Sequence, residues 1–232
     1  MLGLRYTTMV LFLLILPSMA RSQETSLIDR IQKVQTSLVE IKTVYSRALQ
    51  TQRGQKGIAS YERHGSGIII DSSGIIVTNT HLVHHAPRIL VKLSDGKIFE
   101  AQLLHENESD FSFIKVDAGY PLKAIVWADS SLAYLGEPII ALGGISDFNH
   151  QSILGGEITS LIESISSGEI QLLELNINLY EGDSGGPILD EKGRLLGLIM
   201  AKRMSKDRKS YAIASNNIRR AYLSQRLLVS GL

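Results

Sequence analysis

Residues 65–83 read GSGIIIDSSGIIVTNTHLV. Within them Ser66–Asp71 and Ile75–Thr80 are dominated by isoleucine, valine and threonine, whose branched side chains suit a pleated, half-buried surface. Between the two runs stand Ser72, Ser73 and Gly74, so the stretch predicts two strands joined by a short hairpin turn. The same pattern recurs downstream. Arg88–Leu93 faces Lys97–Leu104 across Ser94, Asp95 and Gly96, where Asp-Gly is a strong hairpin signal. Phe111–Val116, Ile139–Leu142, Glu157–Ile162, Leu172–Leu175, Pro187–Leu189, Leu195–Met200 and Tyr211–Ala214 continue the series, with a closing helix over 216–228. Short strands at close spacing, with little helix between them, predict an all-β fold, either a sandwich or a pair of barrels.

Composition fits one such domain. The chain has 232 residues of which 44% are hydrophobic, enough for a substantial core. Its 24 basic and 23 acidic residues leave a net charge of +1, so no global field points to nucleic acid or to a strongly charged substrate. There is no cysteine, which excludes disulfides, thiolate metal sites and a cysteine nucleophile. Neither a metal nor a cofactor is expected. The basic run Lys202–Lys209 reads as a solvated hairpin tip.

The N-terminal part differs in character. Arg5 precedes the apolar run Met9–Leu16, then Pro17, then Ser18, Met19 and Ala20, which reads as a secretory signal peptide over 1–20 and implies export to a periplasm or beyond. As a retained anchor the run falls well short of the ~20 residues that span a bilayer. From Ser26 to Gln52, Leu27, Ile31, Val34, Leu38, Ile41, Tyr45 and Ala48 recur in alternating steps of four and three, without glycine or proline. That spacing predicts a helix over 21–53, either a coiled-coil seam joining copies of the chain through 27–48 or a helix docked on its own domain. Gln52–Gly57 reads as the linker to a domain over 54–232, with one barrel at 57–125 and a second at 134–215.

Chemistry concentrates at Gly182–Pro187, GDSGGP. A serine among so many turn formers reads as a presented nucleophile. Its hydroxyl needs a base within hydrogen-bond reach and a third group to orient that base. Gly182 can take backbone angles closed to other residues, letting the N–H groups of Gly182 and Ser184 converge on a developing oxyanion. Of the histidines, His81 stands where a strand gives way to a turn, whereas His84 and His85 lie further into the loop. Asp110 precedes the apolar run Phe111–Val116 at another strand edge, while Asp95 serves its turn and Asp71 ends a strand.

At these residues the chain resembles the trypsin-fold serine proteases of the bacterial HtrA (Deg) kind. Gly65–Val83 is similar to that family's approach to its catalytic histidine, Ser109–Val116 (SDFSFIKV) to the segment carrying its aspartate, Glu181–Pro187 to that carrying its serine, and Tyr211–Asn216 to the close of its second barrel. The resemblance implies two β-barrels meeting at an active site, with His81 as general base, Asp110 as orienting acid and Ser184 as nucleophile acting on unfolded or extended polypeptides. It also implies a primary pocket near Asn178, with Met200 and Ala201 as one wall; an uncharged amide there disfavours Lys or Arg and suits medium apolar side chains. The chain departs from the family in having Asp183 where asparagine is usual, which calls for a partner such as Arg203, and in ending at Leu232 with no PDZ-like region after the protease domain. A catalytically silent peptide-binding scaffold on the same fold and an esterase with the same triad are the competing functions.

Overall fold

The computed structural model describes residues 26–50, 56–144, 152–180, 182–200 and 209–230. The leader expected at 1–20 lies outside them, as do residues 52–55 of the expected linker, Ala201 and most of the basic run. The opening hairpin forms as expected: strand β2 (Lys56–Asp71) turns back antiparallel onto β3 (Ile75–Thr78), with Ile68 opposite Val77 and Ile69 opposite Ile76.

These strands belong to a closed barrel of β1 (Leu38–Gln50), β2, β3, β6 (Phe111–Lys115), β5 (Ile98–Asn107) and β4 (Arg88–Leu93), in that spatial order. A second closed barrel runs β10 (Pro187–Leu189), β11 (Leu195–Met200), β12 (Ser210–Ala214), β9 (Ile170–Leu175), β8 (Ser152–Glu163) and β7 (Pro138–Gly143). The fold is therefore the all-β, two-barrel architecture, with helix α1 (Leu27–Gln35) before it, a single turn α2 (Thr80–Val83) within it and α3 (Ser215–Ser230) closing it.

One expectation is overturned. The helix expected over 21–53 ends at its C-cap Thr36, and Leu38–Gln50 is the strand β1. It pairs with β2 from Leu38↔Ile68 to Gln50↔Lys56 and with β4 from Val39↔Leu93 to Val44↔Arg88, so barrel 1 begins at residue 38 and closes only through this strand. Val39, Ile41, Thr43 and Tyr45 point inward at period two and are buried, while Lys42 and Val44 between them are only partly so. Of the residues at four-three spacing, Ile41 and Tyr45 share this inward face, whereas Leu38 lies on the opposite face, in the cluster between the barrels. Val39, Ile41, Thr43 and Val44 lose side-chain freedom in a helix and fit a strand, and two neighbouring strands supply the pairing that settles the choice. The coiled-coil seam is removed with the helix, because Leu38, Ile41 and Tyr45 are core residues of the barrel. What remains helical is docked: α1 carries a capping box between Ser26 and Asp29 and buries Val34 against the domain.

Each barrel has its own core, and a third cluster joins them: Ile68, Val77, Phe111 and Phe113 from the first meet Leu142, Leu189, Leu198 and Ile213 from the second, with Val34 of α1 and Ile218 and Tyr222 of α3. The connecting segment is stitched to both, Ile125 N–H donating to Ile69 O (2.9 Å) and Leu195 N–H to Val126 O (2.8 Å).

Helix α3 reaches back to barrel 1 through the Tyr222 hydroxyl, which donates to Asp71 Oδ2 at 2.6 Å. That bond, with the Ser73 N–H and nearby Arg226, holds the Asp71 carboxyl down to about 2, while burial and the Asp71 charge push the Tyr222 hydroxyl up to about 12. The ionised Asp71 thus stabilises the fold fully above its ordinary 3.8, and this is lost as pH falls through about 2. The neutral Tyr222 contributes below its ordinary 10.0, a gain lost as pH rises through about 12. Tyr222→Phe is expected to lower unfolding stability by about 1.5 kcal/mol near neutral pH. In urea titrations the difference from wild type should narrow as the pH is taken down towards the Asp71 transition; an unchanged difference in acid contradicts the bond's role.

Candidate active site

The single turn α2 presents His81 at the end of β3. Strand β1 anchors this turn from below: Thr43 Oγ1 donates to Leu82 O (3.0 Å), and Tyr45 Oη donates to Leu82 O (3.3 Å) and His84 O (3.0 Å). From the side, the Arg63 guanidinium donates to His81 O.

Asp110 sits at φ 61°, a left-handed conformation that aspartate tolerates better than most residues. Its backbone is pinned there, the carbonyl accepting from Asn79 Nδ2 (2.9 Å) and Thr80 N–H (3.3 Å). Its carboxylate turns onto the histidine, with Oδ1 accepting the His81 main-chain N–H (3.0 Å) and Oδ2 lying 2.9 Å from Nδ1. A carboxylate at Nδ1 selects the tautomer that carries its proton there, leaving Nε2 as the acceptor. Asn79 was not singled out by its sequence context, although it fixes the backbone of the acid.

Ser184 follows Gly182, at φ 102°, and Asp183, in a turn pressed against barrel 1. Ser66 N–H donates to Ser184 O at 2.8 Å. Gly185 has φ 81°, and a Cβ there would lie 2.0 Å from Ser66 O, so no larger residue fits at this contact. A Cβ at Gly65 would likewise meet a Leu82 methyl at 2.3 Å and Ser184 O at 3.2 Å. The His81 turn and the Ser184 turn thus converge on the Gly65–Ser66 edge of β2. Ser184 is 5% exposed. Among the described residues its hydroxyl makes no hydrogen bond to His81, a contact that in unliganded hydrolases is often long and tightens with substrate. Neither the Gly182 nor the Ser184 N–H donates to another described residue.

Asp183 is 2% exposed, and its carboxylate accepts from two described residues. Ser152 Oγ donates to Oδ1 at 2.9 Å and Tyr180 N–H to Oδ2 at 2.8 Å; Arg203 lies outside the described residues. Gly143 gives it room, since a Cβ there would fall 2.5 Å from Asp183 Oδ1. Ser152 opens β8, far from Asp183 in sequence, and no local signal marks it. The expected pocket residues do not converge on one described surface: Asn178 is exposed after β9, Met200 is buried in the cluster between the barrels, and Ala201 is not described.

The family model of the trypsin-like peptidase domain matches residues 65–198, from within β2 into β11, and includes all three site segments. The chain belongs to the trypsin-like peptidases, and within them to the HtrA/Deg-like kind. It is 30% identical over 161 residues to the serine endoprotease DegS of Escherichia coli (strain K12), which covers 68% of this chain and 44% of DegS. It is 31% identical over 144 residues to a probable periplasmic serine endoprotease DegP-like of Rickettsia conorii, covering 58% of this chain and 27% of that protein. With serine protease HTRA1A of Danio rerio it shares 26% identity over 210 residues, covering 88% of this chain and 42% of the relative. The chain spans less than half the length of these relatives.

Proposed function

We propose that this chain is a serine endopeptidase that hydrolyses peptide bonds in unfolded or extended polypeptides, exported through its apolar leader and engaged in protein processing or quality control. The observation that carries this reading is the locked His81–Asp110 pair, with Nδ1 2.9 Å from the carboxylate, on the β2 edge against which the Ser184 turn is docked.

In the proposed cycle Ser184 Oγ attacks the scissile carbonyl carbon as His81 Nε2 takes its proton. The carbonyl π electrons move to the oxygen, which the Gly182 and Ser184 N–H groups receive. Collapse breaks the C–N bond, and His81 returns the proton to the leaving amine. Water then repeats the sequence on the acyl-enzyme, with Asp110 holding the imidazole and favouring its cation throughout. Export agrees with the DegP-like relative, a probable periplasmic endoprotease; no described helix is long and apolar enough to cross a membrane.

A fluorophosphonate probe tests the reading. Stoichiometric labelling that maps to Ser184 supports the enzyme, and a folded protein that binds peptides without labelling supports the silent scaffold instead.

Asp183 orients the peptide units on both sides of the proposed oxyanion site. Asp183→Ala leaves the Tyr180 N–H and the Ser152 hydroxyl without this acceptor, and is expected to lower kcat by about 10²–10³, the cost of misplacing an oxyanion donor. Asp183→Asn offers an acceptor to Tyr180 N–H and a donor to Ser152 Oγ, so activity within about tenfold of wild type is expected. Equal losses in the two variants refute a positioning role through hydrogen bonds.

A further inference from the structure

Between α1, the inter-barrel segment at residues 123–126, the start of β7 and the turn at 191–194 lies a cleft of about 860 Å³, a size typical of ligand sites. None of His81, Asp110 and Ser184 lines it. We propose that this cleft binds an extended acidic peptide, placing a carboxylate among its cations and apolar side chains on its floor.

Charge is the first argument. Among the described residues, Arg30, Lys33, Lys123, Lys192 and Arg194 line the cleft against a single carboxylate, that of Glu191. Arg194 is committed to Asp190 at 2.6 Å, but Lys33, Lys123 and Lys192 are in no ion pair among the described residues. The chain as a whole is nearly neutral at +1, so this concentration is local.

Arg30 gives a second, independent argument. Its guanidinium is oriented by donating to Glu191 O, yet its Nε is buried with no partner. The bond to Glu191 O fixes a cation in the cleft wall, where an incoming carboxylate can meet the guanidinium.

The apolar part of the cleft selects among anions. Leu27 and Val126 stand 47% and 59% exposed at its walls. Among the described residues no aromatic side chain lines it to stack a base, which disfavours a nucleic acid. The chain's own residues 1–25 are a poor occupant, because Arg5 and Arg21 outnumber Glu24. A peptide with carboxylates beside aliphatic side chains satisfies both the cations and the floor.

The test uses the full chain carrying Ser184→Ala, so that binding is read without cleavage and independently of the proposed activity. Fluorescence anisotropy is followed with a fluorescein-labelled hexapeptide alternating leucine and glutamate, and with its glutamine counterpart. Saturable binding of the acidic peptide is expected, with Kd raised at least about tenfold by the glutamine replacement, by about 0.5 M salt and by Lys33→Glu with Lys123→Glu. Both lysines are exposed, and an unchanged thermal midpoint confirms that the double variant is folded. Absence of saturable binding, or affinity indifferent to the lysine reversals, overturns the proposal. So does a preference for a labelled oligonucleotide or for anionic vesicles that depends on the same lysines.

Discussion

Alanine at Ser184 is expected to lower the hydrolysis of an unfolded protein such as casein by about 10⁶, to background over an ordinary assay. The size follows from what the substitution removes. The hydroxyl is the only group in the proposed cycle that forms a bond to substrate, and without it His81 has no proton to take and no acyl-enzyme can form. The scaffold should not follow the activity down. Barrel 1 holds this turn through Ser66 N–H and the Ser184 carbonyl oxygen, and Gly185 N–H donates to Ile199 O at 3.1 Å; both are main-chain contacts that alanine keeps. The thermal midpoint of Ser184→Ala should therefore match wild type while casein cleavage and fluorophosphonate labelling vanish together. Casein cleavage at the wild-type rate by a folded Ser184→Ala protein refutes the assignment of the nucleophile.

The strands were legible wherever the deciding information is local. In Ser66–Thr80 branched residues, turn residues and the strand edge before His81 lie within one hairpin, and the structure reproduces that hairpin with Ile69 opposite Ile76. Phe111–Val116 marked the edge at which Asp110 stands for the same reason. In Leu38–Gln50 the four-three apolar spacing fits a helix, whereas the strand is decided by its branched residues and by pairing with β2 and β4 on either side. The difference reaches the site, since Thr43 and Tyr45 of that strand hold the turn bearing His81. The partner of Asp183 escaped for a related reason. A buried carboxylate by itself suggests a cation, and nothing local marks the hydroxyl on a distant strand and the peptide N–H that donate to it. Local pattern marks where reactive side chains stand, and long-range pairing decides what positions them.

Asp110→Asn is expected to lower kcat by about 10⁴ while leaving the protein folded. Asparagine shares with aspartate a tolerance for left-handed backbone, so φ 61° and the two hydrogen bonds received by the residue 110 carbonyl persist. Its side-chain oxygen can still accept the His81 main-chain N–H, now made by Asp110 Oδ1 at 3.0 Å. The change falls on the other contact. An amide N–H₂ facing Nδ1 is a donor where a carboxylate accepted, so the imidazole shifts its proton to Nε2 and can no longer take one from Ser184. The imidazolium formed during attack also loses its counter-charge. Since substrate binding is untouched, KM should move little and the loss should lie in kcat, with fluorophosphonate labelling slowed in parallel. Asp110→Ala separates tautomer from scaffold. It removes the acceptor for the His81 main-chain N–H and meets the left-handed backbone with a residue ill suited to it, so its thermal midpoint should fall where that of Asp110→Asn does not. An Asp110→Asn enzyme within about tenfold of wild-type kcat would show that the carboxylate serves the fold of the His81 turn alone, since a tautomer-setting charge cannot be replaced at so small a cost.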